Sequence, residues 1–296
     1  MSLTSRLRTK TDPIRMFLHE RFPNTKPLIA EIVSIAKGAE TIRPEVDVPW
    51  SLLGHAIDYR IRAYFAPVSM EGLPESAVQL IWPKSGWDMR MCAGFDLDER
   101  AIEIKSVGTR LGNEDEEWLA RYCLFLGMLE HCARSRDIHP ALLTLNPDTA
   151  TAGDVLSISE QAWVNDLCNM SWGFYDNFNK LLTQKAILNP LFAGSKDIGG
   201  ADGDLILDNC LLEIKATIHP ERPSPDWLYQ LLGYVLLDYD DFYNLDSVGI
   251  YLARQSKLVQ WRLNEFLNAM SEDKCSGLAE LRAEFKQLII SSPELG

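Results

Sequence analysis

The residues of this chain best placed to do chemistry together lie between Gly199 and Lys215, in the run GGADGDLILDNCLLEIK. Two short apolar runs, Leu205-Ile206-Leu207 and Cys210-Leu211-Leu212, flank the polar pair Asp208-Asn209. Runs of this length around a two-residue spacer predict a β-hairpin. Counting outward from the spacer sets Leu207 opposite Cys210, Ile206 opposite Leu211, Leu205 opposite Leu212 and Asp204 opposite Glu213. Opposed residues of an antiparallel pair carry Cβ atoms about 4.5–5.5 Å apart, so the two carboxylates repel unless a cation lies between them. Lys215, two residues beyond Glu213, leaves the strand on the same face. Paired acids beside a lysine suit a hard divalent ion such as Mg²⁺, which takes oxygen ligands and keeps several waters.

Such a hairpin needs supporting elements, and the sequence after it supplies them. Ser224-Pro225-Asp226 predicts a helix start: serine as N-cap, proline at the first helical position and an acid in the first turn. In the helix DWLYQLLGYVLLDY, residues Trp227, Gln230, Leu231 and Tyr234 share one face. A glutamine among apolar neighbours needs partners for its donors and its acceptor. Gln230 therefore marks either a polar network or a core-edge side chain satisfied by main chain. After the acidic turn from Asp238 to Asp246, SVGIYLAR and KLVQWRL predict two further strands, followed by helices from Asn264 to Ile290.

Asp204, Glu213-Ile214-Lys215 and the later Gln230-x-x-x-Tyr234 together resemble the PD-(D/E)XK nuclease superfamily, in its RecB-like branch, over roughly residues 190–263. The resemblance implies an α/β (α+β) fold with a mixed central β-sheet flanked by helices, a restriction-endonuclease-like core. It implies a Mg²⁺- or Mn²⁺-dependent phosphodiesterase acting on DNA, in which Asp204, Glu213 and the main-chain carbonyl of Ile214 hold the metal. The cation lowers the pKa of an attacking water, and Lys215 orients that water or stabilises charge on the phosphate. Gln230 and Tyr234 then position the water or the scissile phosphate. Asp202 falls opposite Lys215 in the counted register; it holds the lysine, or replaces Asp204 if the turn is longer. Restriction, repair and phage defence all use this fold.

The amino-terminal half is mostly helical by its spacing. Residues 13–37 predict two helices broken near Pro23-Asn24-Thr25. Residues 51–65 follow, with Leu52, Leu53, Ala56, Ile57, Ile61 and Tyr64 at helical intervals. Gly54, His55 and Asp58 on that helix faintly resemble the helix that precedes the sheet in RecB-like nucleases. The family's histidine usually sits four residues after the glycine, where this chain has Asp58. Asp58 is thus either a further metal-reaching acid or an exposed charge on a packing helix. Residues 114–136 predict a long, largely buried helix, and Ser157 to Leu182 one or two more, with Asp166 and Asp176 on them as solvated charges or ligands. The segment GFDLDERAIEIK repeats the pattern, with Asp96 and Asp98 before Glu103-Ile104-Lys105. Its charge-broken runs predict an exposed edge hairpin turning at Glu99-Arg100, and no Gln-x-x-x-Tyr follows. Residues 137–157, with Pro140, Pro147 and Gly153, make the best boundary. The expected division is a mostly helical region 1–150 and a nuclease-like core 151–296.

Composition sets the frame for function. At 296 residues and 46% hydrophobic, the chain has ample core. No apolar run approaches the ~20 residues of a membrane span. Six scattered cysteines without a Cys-x-x-Cys pair predict reduced thiols and a cytoplasmic protein. The net charge of −13 bears on the DNA expectation, because phosphates are gripped by lysine and arginine. Residues 190–262 carry six basic and eleven acidic side chains, and the basic stretch is residues 1–26, a solubilising terminus or a DNA arm. That balance keeps two alternatives open: a catalytically silent nuclease-like fold used for protein interaction, and a nuclease subunit whose hold on DNA comes from a helicase or other partner protein.

Overall fold

Apolar runs too short for helices and bounded by turn residues become the strands of one five-stranded sheet, and the longer amphipathic segments become helices around it. In the computed structural model, which describes residues 2–272 and 277–292, the helices in chain order are α1 (Leu3–Arg8), α2 (Pro13–Arg21), α3 (Lys26–Ala36), α4 (Trp50–Arg62), α5 (Leu73–Ile81), α6 (Gly86–Met89) and α7 (Phe95–Glu103). They continue with α8 (Asn113–Ser135), α9 (Ala152–Ser157), α10 (Gln161–Phe178), α11 (Asp226–Leu237), α12 (Leu263–Met270) and α13 (Leu278–Ser291). The strands are β1 (Ala186–Leu188), β2 (Leu205–Leu207), β3 (Cys210–Lys215), β4 (Ser247–Leu252) and β5 (Lys257–Arg262). The fold is therefore α/β, with a mixed sheet flanked by helices and helices at the amino terminus. No described helix is long and apolar enough to cross a membrane.

Two compact units divide the chain. The sheet unit comprises residues 1–39, 184–252 and 257–296; the helical unit comprises 40–183 and 253–256. This differs from a boundary near residue 150. Residues 151–183 stay with the helical unit because α10 packs on α4 and α8, and residues 1–39 join the sheet unit because α1 packs on α11 and α3 on β5.

Within the sheet unit the strand order is β1-β2-β3-β4-β5, antiparallel except for the parallel β3–β4 pair. A parallel pair needs a crossover, and α11 supplies it. The β2–β3 register is the counted one, with Leu207 opposite Cys210, Ile206 opposite Leu211 and Leu205 opposite Leu212. Asp208 turns the chain at φ +50°, and its Oδ1 accepts from the Lys185 main-chain N–H at 3.0 Å. Asp is one of the few residues besides glycine that enter this region, and here the bond to Lys185, 23 residues away, ties the turn to the chain just before β1. Every residue of α11 from Leu228 to Leu237 is buried, as expected of a helix apolar nearly all round. A Cβ on Gly233 would come within 2.8 Å of Leu3, so the glycine lets α1 lie close on α11.

The helical unit is built on α4 against α8, where a Cβ on Gly127 would meet the Leu52 carbonyl oxygen at 2.9 Å. Two arginines are fully buried there. Arg60 donates from Nε and Nη2 to the two Glu116 oxygens, each at 2.7 Å, and Arg254 makes the equivalent pair with Asp166 at 2.8 and 2.7 Å. Asp166 is thus a buried ion-pair partner, whereas Asp176 lies at the surface against Arg110 at 2.8 Å. Cys123, Cys132, Cys168 and Cys210 are buried and free; Cys275 lies outside the described residues.

Candidate functional site

Four side chains of the sheet unit form one continuous hydrogen-bonded chain. Lys215, on the last residue of β3, donates from Nζ to Glu213 Oε1 at 2.7 Å and to Gln230 Oε1 at 3.0 Å. Gln230 donates from Nε2 to the Tyr234 hydroxyl at 2.8 Å. The strand period puts Glu213 and Lys215 on one face, and the four-residue helical interval aligns Gln230 with Tyr234. Asp204, just before β2, sits beside them: its Oδ2 accepts the Ile214 main-chain N–H at 2.7 Å. Of the two readings of Gln230, the polar network is the one realised, since both ends of its amide are engaged by side chains.

The site grades from solvent to core. Lys215 keeps about a fifth of its side chain exposed, at 19%, whereas Glu213 is at 5% and Tyr234 is buried. Phe192 stacks on Tyr234 with ring centroids 5.3 Å apart and fixes the ring. Burial, then the charges of Glu213, Asp204 and Asp202, push the Tyr234 phenol well above its ordinary pKa. It therefore stays protonated at neutral pH, a neutral hydroxyl beside carboxylates.

Two carboxylates and one ammonium leave this cluster with excess negative charge. Glu213 Oε2 is buried without a hydrogen-bond partner, and an uncompensated buried carboxylate oxygen is costly. The oxygens here are of the kind a hard divalent cation takes: the Asp204 and Glu213 carboxylates and the Ile214 carbonyl. No group of three or more His, Cys, Asp or Glu side chains able to hold a metal ion is gathered among the described residues.

The other expected acids are Asp202, near Tyr234, and Asp58, in the helical unit. Asp202 bridges through its main chain to Leu191, on the far side of β2 from Lys215's strand, and its charge is felt at Tyr234. Asp58 belongs to the helical unit, where its carboxylate pairs with Arg62 Nη2 at 2.5 Å and is only 14% exposed. Asp58 is thus an ion-paired, largely covered acid and not an exposed charge. His55 lies against Glu130 at 3.5 Å, and burial lowers its pKa. The helix α11 begins at Asp226, one residue beyond the expected start, yet Ser224 Oγ still accepts the Asp226 N–H at 3.2 Å.

The second Glu-Ile-Lys requires a correction. Residues 95–103 form α7 and not a hairpin. Leu97, Ala101 and Ile104 are buried at intervals of four and three, a helical period that the intervening charges concealed. Asp98 accepts from the Met70 N–H at 3.0 Å and from the Tyr122 hydroxyl, and pairs with Arg90 at 2.9 Å. Glu103 is 66% exposed, and Lys105 closes the helix at φ +52°.

Phe192 is the functional neighbour that sequence spacing did not indicate; it is remote from the motif and carries no periodic signal. Compared with models of protein families, with curated proteins and with solved structures, the chain matches none.

Proposed function

We propose that the chain is a divalent-metal-dependent nuclease that hydrolyses phosphodiester bonds in DNA, with Asp204, Glu213, Lys215, Gln230 and Tyr234 as its working residues. The observation that carries this reading is the Lys215 ammonium held between Glu213 Oε1 and Gln230 Oε1, 2.7 and 3.0 Å away, next to a buried Glu213 oxygen without a partner. Asp204, Glu213 and the Ile214 carbonyl would hold Mg²⁺ or Mn²⁺, which when bound supplies Lewis acidity and a more acidic water.

The protein's own groups do the rest. Lys215, partly exposed and fixed from two sides, presents its remaining N–H to a phosphate oxygen where negative charge develops. Gln230 holds the ammonium in that position, and Tyr234 holds the Gln230 amide in turn. We place the reaction in the cytoplasm, consistent with the reduced cysteines.

The test is cleavage of linear, circular and single-stranded DNA by the full chain in Mg²⁺ or Mn²⁺, with EDTA and Lys215→Ala as controls. Metal-dependent product that disappears in the variant is the expected result; equal cleavage by both proteins would sink the proposal. A second reading keeps the same site but gives the hold on DNA to a partner protein such as a helicase. It is favoured by the eleven acids against six bases over residues 190–262. It predicts weak DNA binding by the isolated chain that collapses with added salt.

A further inference from the structure

One aromatic ring stands at the open end of this cluster. Trp227 lies three residues before Gln230 and seven before Tyr234 on α11, so the three share the helix face that looks toward β3. Exposure falls along that face: Trp227 is partly exposed, Gln230 is 9% exposed and Tyr234 is 3% exposed. The Lys215 ammonium is 5.9 Å from the Trp227 ring centroid. One part of Trp227 packs on the core, which fixes the ring. A phosphate that reaches Lys215 therefore brings its neighbouring base to an indole already held in place.

Resting on the nuclease reading, we infer that Trp227 is a stacking platform for the base next to the scissile phosphate, and that it selects unpaired DNA strands. In a duplex both faces of each base are taken by neighbouring pairs; an unpaired base offers a free face. Base–aromatic stacking tolerates every base, because each has a π-face. It also supplies affinity without positive charge, which adds to what Lys215 gives beside Asp204 and Glu213; Asp226, the residue before Trp227, is itself paired with Arg15 at 3.2 Å. Binding that leans on stacking loses less with salt than binding built on phosphate contacts.

The experiment uses the full chain in EDTA, so that nothing is cleaved, and a short single-stranded oligodeoxynucleotide carrying 2-aminopurine, whose fluorescence is quenched by stacking. Wild type should bind and quench this probe and bind the matching duplex more weakly. Trp227→Leu, which keeps apolar packing but removes the ring, should lose the quench and weaken single-strand binding roughly ten- to a hundredfold. Trp227→Phe should retain most of both, and duplex binding should be alike in all three proteins. If the wild type fails to quench, or Trp227→Leu quenches and binds as the wild type does, the inference is overturned, whatever the cleavage assay gives. A protein that quenches through Trp227 but cleaves no DNA in Mg²⁺ or Mn²⁺ would retain the stacking platform and overturn the nuclease reading alone.

Discussion

The tripeptide Glu-Ile-Lys occurs twice in this chain, and the two copies end in opposite states. Glu213-Ile214-Lys215 closes a sheet strand, with its glutamate buried and its lysine tied to Gln230. Glu103-Ile104-Lys105 closes a helix, with its glutamate 66% exposed and its lysine in a left-handed turn. The difference comes from what precedes each copy. Leu205-Ile206-Leu207 and Cys210-Leu211-Leu212 are continuous apolar runs that can be buried on both faces of a sheet. Around the other copy the buried residues are Leu97, Ala101 and Ile104, spaced at helical intervals, so one face of a helix covers all three and a strand would not. A tripeptide with the chemistry of a metal site is thus not a site until its neighbours set its period.

Substitution can break that contrast at several strengths. The largest effect is expected at the sheet copy. Glu213→Gln or Lys215→Ala should lower metal-dependent DNA cleavage by about a hundredfold or more, while Glu103→Gln and Lys105→Ala leave it unchanged. An initial-rate assay on all four proteins decides the matter, and inactivation by Lys105→Ala with survival of Lys215→Ala would reverse the assignment.

Next comes Asp98, whose carboxylate joins α7 to Arg90, Tyr122 and the Met70 main chain. Asp98→Ala should cost about 2–4 kcal/mol in urea unfolding of the helical unit, because it strands buried donors. Cleavage per folded molecule should not change, which would show that the acid of this copy is structural.

A smaller loss is expected for Tyr234→Phe. The hydroxyl accepts from Gln230 Nε2 inside the core, so its removal leaves a buried donor unpaired and should cost about 1–3 kcal/mol. Cleavage should also fall, since Gln230 would no longer be held against Lys215; full activity in the variant would make Tyr234 a packing residue only.

The smallest change is a gain. Lys105 holds φ +52° without the freedom of glycine, so Lys105→Gly should stabilise by up to ~1 kcal/mol in the same unfolding measurement. The equivalent change at Lys215, whose backbone lies in a strand, should destabilise.

Much of the site was legible because it is local. The hairpin register needed only two apolar runs and a two-residue spacer, and α11 only its spacing and its Ser-Pro-Asp start. The paired helices before residue 37 were set by Pro23. What was not legible is non-local or masked by charge. The α7 period lies under four acids and an arginine, so its residues resemble an exposed ribbon. Asp166 and Glu116 give no sign in the sequence of being buried, since their partners Arg254 and Arg60 are 88 and 56 positions away. The unit boundaries escaped for the same reason: the sheet unit is assembled from three separated segments, and no linker composition marks a fold that returns to itself.

The short segment 253–256 gives the helical unit a property that concerns its birth on the ribosome. That unit owns Arg254, which arrives roughly seventy residues after the rest of its chain is complete at residue 183. At the ~5–20 residues per second of synthesis, several seconds pass between completion of α10 and the arrival of Arg254, the bidentate partner of Asp166. During that interval Asp166 lacks the guanidinium that pairs with it in the finished unit. Vectorial synthesis thereby couples completion of the helical unit to emergence of β4, which directly precedes Arg254, so neither unit is finished far ahead of the other.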